Sequence, residues 1–284
     1  LNTDSTINIQ PDTLGRMPDE NLANLTDRGA YLQAIWRIDN WRVNAGIRYD
    51  RNNLYGSTIN PRASAIYYLS HKSTIKLLYG TAFQEPAPIQ LWGGWSGRAA
   101  NPNLKPEKAK NLEFIYMYQQ DNWLHDLSLF TARYDNVIKE EAENAGKRKT
   151  IGLEYRGRFE FNNVITGASN ITGHLYYTYT KSKSSVSYDH ELGLWVGQGI
   201  ENCHEIAENN TLSFNPCDDM NITLGDIAPH KINASINVPI TESLNVNIKA
   251  NWVASKTLYV RNALRAKDKK NDGYFTVDAN IIYQ

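Results

Sequence analysis

Polar and apolar residues alternate one for one along most of this chain, a period that belongs to β-strands with one face buried and one wet. Leu244, Val246, Ile248, Ala250 and Trp252 fall on one face, and Asn245, Asn247, Lys249 and Asn251 on the other. Ile232, Ala234, Ile236 and Val238 oppose Asn233, Ser235 and Asn237. Val43, Ala45, Ile47 and Tyr49 oppose Arg42, Asn44 and Arg48, and Ile151, Leu153 and Tyr155 oppose Glu154, Arg156 and Arg158. The pattern predicts eleven strands, near 27–38, 41–50, 61–69, 74–83, 108–120, 123–135, 148–161, 171–181, 228–239, 242–254 and 273–284. All ten prolines fall in connections or at strand ends, where no ladder N–H is needed. No segment sustains a 3.6-residue period.

The connections alternate in length. Those at 39–40, 70–73, 121–122 and 241 are short, and 162–170 is intermediate. Those at 51–60, 84–107, 136–147, 182–227 and 255–272 are longer. A soluble sandwich has no reason to gather its long loops at one end, whereas a transmembrane barrel keeps short periplasmic turns and long outer loops. Trp41 and Trp123 each open a strand after a short turn, where an interfacial aromatic girdle belongs. A mean hydropathy of −0.53 does not oppose this reading. Lumen-facing polar residues dilute the lipid-facing ones in a barrel strand, and only a transmembrane helix is ruled out by the lack of a long apolar run. Thirty basic and thirty acidic side chains balance, which disfavours a nucleic-acid partner. The fold expected is therefore an all-β, antiparallel transmembrane barrel. Eleven strands are an odd number, and closure of a bacterial barrel requires an even one with both edges paired. The expectation is an incomplete barrel, with 27–38 and 273–284 as open edges. The beginning Leu1-Asn2-Thr3-Asp4 carries no signal-peptide pattern, so processing or truncation is expected.

From Tyr79 the sequence reads Y-G-T-A-F-Q-E-P-A-P-I-Q-L-W, then a Gly/Trp-rich tip, then Asn101, Pro102, Asn103, Leu104, Lys105, Pro106 and Glu107, and then a second amphipathic strand. Two prolines within five residues fix an extended approach to that strand. This stretch resembles the middle of the barrel of TonB-dependent outer-membrane receptors, with weaker echoes at Ile227-Ala228-Pro229-His230-Lys231 and Gly273-Tyr274-Phe275. The resemblance implies a 22-stranded barrel enclosing an N-terminal plug, preceded by a TonB-contacting segment. This chain then supplies strands ten to twenty of the barrel domain over 1–284, with plug and TonB-contacting segment lying outside it. It also implies a Gram-negative outer-membrane location, lipid and lipopolysaccharide as neighbours, and the TonB complex as energy source. The cargo implied is a scarce solute such as a ferric siderophore, another chelate, a cobalamin or an oligosaccharide. Some haem receptors of the family place a His between an F-R-A-P box and an N-P-N-L box. Here the first box reads Phe83-Gln84-Glu85-Pro86 and no His lies between the two, which disfavours haem.

Within the 84–107 loop, Gln84, Trp92, Trp95 and Arg98 are candidate solute contacts, since Trp faces beside an Arg grip aromatic or anionic chelates. The alternative is a loop tip packed on itself. Cys203 and Cys217 share one polar loop; on a cell surface such a pair forms a disulfide, the alternative being two free thiols. His190, His204, Asp189, Glu191 and Glu205 have no metal-ligand spacing, so no metal or cofactor is expected. Lys147-Arg148-Lys149 is either a contact for lipopolysaccharide phosphates or a solvated rim, and Arg156, Arg158 and Glu160 belong to the lumen. No catalytic constellation stands out: His174 has no Ser/Asp pattern beside it, and no enzymatic activity is expected. The competing classes are a passive porin or structural barrel, a β-solenoid adhesin, which would show a fixed repeat, and an outer-membrane enzyme.

Overall fold

The computed structural model describes residues 2–8, 22–92, 101–138, 144, 146–162, 164–165, 170–184, 187–189, 194–196, 222–223, 225, 227–258 and 270–283. The strands are β1 (Asn2–Asn8), β2 (Leu22–Ile38), β3 (Trp41–Asn52), β4 (Gly56–Tyr68), β5 (Ser73–Gln84), β6 (Glu107–Gln120), β7 (Trp123–Val137), β8 (Gly146–Phe161) and β9 (Ile171–Ser184). They continue with the short β10 (Ser187–Asp189), β11 (Leu194–Val196) and β12 (Ile222–Thr223), then β13 (His230–Pro239), β14 (Leu244–Val253), β15 (Lys256–Thr257), β16 (Lys270–Asn271) and β17 (Tyr274–Tyr283). One short helix, α1 (Pro88–Trp92), follows β5. All eleven expected strands form. They pair antiparallel with their sequence neighbours in one sheet ordered β1-β2-β3-β4-β5-β6-β7-β8-β9-β13-β14-β17, with β12 against β9.

The sheet is a single layer with its apolar face uncovered. Row after row of the register is apolar: Leu77, Phe114, Leu129, Leu153 and Tyr179 stand side by side across β5 to β9. Leu77, Leu129, Ile151, Leu175, Ile248 and Trp252 are all exposed. Apart from prolines, the buried apolar side chains among the described residues are only Leu91, Trp92, Leu104, Ala228 and Leu258. A face of this extent is unstable in water and suits a hydrocarbon solvent. At the short-turn end it finishes in aromatic rings: Trp41 lies 4.6 Å from Tyr67, and Trp123 lies 5.3 Å from Phe161 and 5.7 Å from His125. These rings stand where the sequence placed a girdle. Gly173 leaves the space that Phe159 fills, since a Cβ there would lie 2.3 Å from the Phe159 ring. The opposite face is polar and internally bonded. Arg156 pairs with Asp126 at 2.5 Å, Ser128 donates to Glu113 at 2.5 Å, and Arg158 Nε donates to the Tyr176 hydroxyl at 3.1 Å.

Three expectations change in detail. The connection expected over 51–60 is a three-residue turn, because β3 runs on to Asn52 and β4 begins at Gly56. Their paired ends are polar on both faces, so the alternation fades while the ladder continues. Pro61 consequently lies within β4, opposite Ile47 of β3. The β4–β5 ladder stops at Arg62, next to it, so its missing N–H breaks no pair there. Finally, 27–38 is not a bare edge: β1 pairs Asn2 with Arg28 through Asn8 with Leu22. This covers only the loop end of β2, whose Gly29–Ile38 portion pairs with β3 alone.

Among the described residues, β17 pairs with β14 alone, and all ten of its residues are exposed. Each unpaired backbone group in hydrocarbon costs several kcal/mol, so this sheet requires further strands on both sides. Expressed by itself with a secretion signal, the 284-residue chain is expected to give no heat-modifiable, protease-resistant monomer in an outer membrane. Unheated and heated samples compared on a gel check this; a folded monomer would show that the chain closes unaided.

Candidate functional site

At the long-loop end, the two described arms of the 85–106 connection, residues 85–92 and 101–106, are folded onto their neighbours. Gln90 Oε1 accepts from the Ala87 N–H at 2.8 Å, and the N–H groups of Gln90 and Leu91 bond to Ala87 O, which starts α1. The helix presents Leu91 and Trp92 to Leu104, and Leu54 and Ile138 from the two adjoining connections pack against that cluster. Leu104 is 2% exposed and Trp92 7%. This is a small core closed over the end of the sheet.

The residues from Asn101 to Glu107 build the clasp. Asn101 Oδ1 accepts from the Asn103 N–H at 3.0 Å, while the Asn101 N–H reaches Gln90 O at 2.9 Å. Leu104 plugs the core and Pro106 is buried beside it. Asn144 then grips Lys105 twice: its Oδ1 accepts from the Lys105 N–H at 2.7 Å, and its Nδ2 donates to Lys105 O at 2.8 Å. A side-chain amide thus stands in for a strand partner where the ladder has ended. The same Nδ2 also reaches Asn136 O at 3.0 Å. That carbonyl is turned toward it at a β-bulge, where the β7–β8 register shifts between Tyr134 and Val137 and Asn136 adopts φ 58°. Just beyond, Ile138 donates its N–H to Glu107 Oε1 at 2.8 Å. The motif therefore ties two connections and two strand ends together.

A second tie lies at the β3–β4 turn. Asn52 Nδ2 donates to Asp27 Oδ1 at 2.5 Å, and the Tyr55 hydroxyl donates to the same oxygen at 3.3 Å. Burial, and then the carboxylates of Glu85 and Asp27, hold the Tyr55 phenol well above its ordinary pKa. It stays a neutral donor at any physiological pH and links the turn to the Phe83-Gln84-Glu85-Pro86 box.

Below these ties the polar face carries a concavity of about 490 Å³, lined by Asn44, Arg62, Ser64, Gly80, Asn111 and Glu113 among others. Gly80 opens it: nothing lies within 4 Å of where a Cβ would be. Arg62 donates to Gln33 at 2.9 Å, and Gln33 to Asn44 at 3.0 Å. Further round, His174 bonds through Nδ1 to Ser235 Oγ at 2.7 Å and through Nε2 to Asn233 Oδ1 at 2.6 Å. The chain continues from Asn233 to Asn251 at 2.5 Å and to Thr276 at 3.4 Å. His174 thus has a Ser partner that the sequence did not reveal, because cross-strand neighbours are distant in the chain. Both ring nitrogens are engaged in a ladder running across β9, β13, β14 and β17. The groups on this face, amides, hydroxyls, a guanidinium and carboxylates, suit reversible binding of a polar surface.

The sequence candidates are not all brought together. Gln84 ends β5, exposed and opposite Glu107 on the polar face. Trp92 belongs to the packed cluster, so its ring supports the loop from beneath. Trp95, Arg98, Cys203, Cys217, His190, His204, Glu191 and Glu205 lie outside the described residues. Of Lys147-Arg148-Lys149, Arg148 turns to the polar face, 5.8 Å from the Tyr134 ring, while Lys147 and Lys149 are on the other face. Among the described residues no cluster of three metal-ligating side chains occurs. Sequence reasoning missed Asn144, Asn136, Leu54 and Ile138. The only signal for Asn144 was an Asn in a connection, which is commonplace.

A polar face, an apolar face edged by aromatic rings and a connection clasped over one rim are the features of an outer-membrane barrel wall. A family model described as TonB dependent receptor-like, beta-barrel, matches residues 2–284, and the chain belongs to that family. Over 166 residues it is 27% identical to the vitamin B12 transporter BtuB of Photobacterium profundum, covering 56% of this chain and 25% of that protein. Over 123 residues it is 27% identical to the iron-regulated outer membrane virulence protein of Vibrio cholerae, covering 41% of this chain and 19% of that protein. The fold matches the siderophore receptor PirA of Acinetobacter baumannii with a TM-score of 0.65 at 18% identity, over 94% of this chain and 40% of that one. It matches the ferric enterobactin receptor PfeA of Pseudomonas aeruginosa, solved with enterobactin, with a TM-score of 0.65 at 15% identity, over 100% of this chain and 43% of that one. The chain thus spans under half the length of these proteins. The family is one of receptors and transporters, and its members, this chain with them, are Gram-negative outer-membrane proteins.

Replacing Asn144 with Ala removes both bonds to Lys105 and is expected to loosen the clasp by about 1–3 kcal/mol while the barrel stays folded. Hydrogen exchange at the Lys105 amide and limited proteolysis within 85–106 measure it; unchanged protection would show that Asn144 is dispensable.

Proposed function

We propose that this chain forms part of the barrel wall of an energised outer-membrane transporter that captures a scarce, bulky solute outside the cell. The reading rests on the family and on one structural observation above all, the clasp that holds the 85–106 connection over the rim. A loop fixed at both ends by buried contacts suits a binding surface, since the ordering of those ends is complete before the solute arrives. The curated relatives are named for vitamin B12 and iron regulation, and the structural neighbours for ferric citrate and ferric siderophores. A metal chelate, with a ferric siderophore first, is therefore the cargo we infer. Gln84 on the rim, together with Trp95 and Arg98 of the same connection, are the side chains we assign to contact it. The polar inner wall, with the Arg156–Asp126 pair and the His174 ladder, suits a plug domain that also carries the contact to TonB. Energy then comes from the inner membrane, and the barrel itself performs no covalent chemistry.

Uptake of labelled ferric siderophores and cobalamin by cells producing the intact receptor tests this. Saturable uptake of one of them, abolished when TonB is deleted, is the expected result. Trp95→Ala with Arg98→Ala should raise the half-saturating concentration and leave the amount of folded receptor unchanged. Uptake that rises linearly with concentration and ignores TonB would identify a passive pore instead.

A further inference from the structure

The charges on the polar face are not shared evenly around the sheet. On β2–β5 they include Arg37, Arg42, Arg48, Arg62 and Lys76, while the carboxylates of that sector, Asp50 and Asp27, both lie toward the long-loop end. Asp50 is already held by Arg48 at 2.7 Å, and Asp27 accepts from Asn52 and Tyr55. On β6–β8 the same face mixes the signs: Asp126 pairs with Arg156, and Glu113, Glu154 and Glu160 stand among Arg148 and Arg158. At the short-turn end Arg37 is paired in register with Arg42, and the row continues through Ile66 to Lys76. Like charges directly opposite one another destabilise a sheet. Among the described residues, none of these three cations makes an ion pair, and neither does Asp39 in the turn between Arg37 and Arg42.

These cations form a strip along the strands. Ile66, opposite Arg42, is four residues from Arg62 on β4, which is about 13 Å of strand. Arg48 lies opposite Asn60, two residues further toward the rim. The strip therefore descends from beneath the clasp to the short-turn end. The concavity of about 490 Å³ lies on it. Arg62 lines that concavity, and so do Asn44 and Ser64, the pair two residues above Arg42 and Ile66. The wall is open there because Gly80 carries no side chain. On β7–β8 the corresponding space is filled: the Phe130 ring lies over Gly152, where a Cβ would be 2.3 Å from it.

We propose that β2–β5 is the side of the barrel along which a captured anionic chelate travels toward the periplasm, its ionised oxygens passing from Arg62 to Lys76 and then to Arg42 and Arg37. The route presupposes the transport function proposed above, and it narrows the cargo to chelates of net negative charge, such as a metal ringed by catecholate or carboxylate groups. Charge and space together select a mobile anion. On β7–β9 the polar groups are already bonded to one another, which suits standing contact with a plug. On lower β2–β5 the cations have no fixed partner, and open wall lies beside them. Guanidinium and ammonium groups bind such oxygens through several donors each, so the solute can be handed on without a bare step.

The test uses the intact receptor in cells, with a trianionic ferric tricatecholate and cobalamin as probes. Arg37→Gln with Arg42→Gln and Lys76→Gln should lower the maximal rate of tricatecholate uptake about tenfold. The half-saturating concentration for its binding to energy-depleted cells should stay unchanged, because capture precedes transit. Arg37→Lys with Arg42→Lys, which keeps the charge, should keep most of the rate. An unchanged rate in the Gln variant, or a loss confined to surface binding, would overturn the proposal. So would TonB-independent entry of a bulky antibiotic in that variant, since the cations would then be holding the plug. Wild-type uptake of cobalamin but not of the tricatecholate would overturn it and leave the transport function standing, whereas uptake that ignores TonB would overturn both. A second measurement leaves the cations in place and decides the matter if the Gln variant fails to fold. With Cys203→Ser and Cys217→Ser as background, Ile66→Cys should react with an impermeant maleimide only while TonB and the tricatecholate are present. Ser128→Cys, on the polar face of β7, should not react. Equal labelling of the two positions, or none at position 66, would contradict a route along β2–β5.

Discussion

The structure depends on the antiparallel backbone ladder being continuous wherever hydrocarbon touches it. Water cannot rescue an unpaired N–H or C=O there, so each strand must be bonded on both sides over the height of the band. That requirement explains the nearest-neighbour order from β1 to β17, in which the strands between the two edges are paired on both sides. It explains why Pro61 sits where the β4–β5 ladder has already ended. It also makes the exposed β17 and the half-covered β2 the most consequential features of the sheet, because both call for partners.

With the ladder fixed, side-chain chemistry divides by parity. One face offers hydrocarbon an apolar surface edged by aromatic rings. The other collects Arg156, Asp126, Glu113, His174 and the asparagines into hydrogen-bonded chains. Above the band the ladder is no longer obligatory, and side chains take over. Asn144 replaces a strand partner for Lys105, Asn53 bonds to the backbone of Thr26, and Leu104 supplies a core where the sheet has none. Anchoring the two arms of the connection at the rim is thus a local achievement of a few amides and five apolar side chains.

The same division decides what could be read from sequence. The eleven strands and their faces were legible because alternation is strong wherever one face meets lipid. Where strands rise into water on both sides, the signal vanishes although pairing continues. For this reason β1, with the polar sequence from Asn2 to Asn8, escaped notice, and β3 and β4 were drawn too short. The run from Asn101 to Glu107 was recognisable as a family mark, but its physical role needed Asn144, which is 39 residues from Lys105 in the chain. From sequence Trp92 read either as a solute contact or as part of a loop tip packed on itself; choosing between them needed the fold of α1, which sets Trp92 against Leu91 and Leu104. The pairing of His174 with Ser235 was hidden for the same reason, 61 residues separating them.

The central claim is that alternate residues of each strand see lipid and lumen. A nitroxide scan from Leu124 to Arg133 of β7, in the intact receptor reconstituted into vesicles, tests it most directly. Collision with oxygen should peak at positions 125, 127, 129 and 131, and collision with a water-soluble relaxer at 126, 128, 130 and 132, the two profiles exactly out of phase. Positions shielded from both reagents on the Leu127–Leu129 side would mean that the apolar face is closed in a protein core, and the barrel account would be wrong.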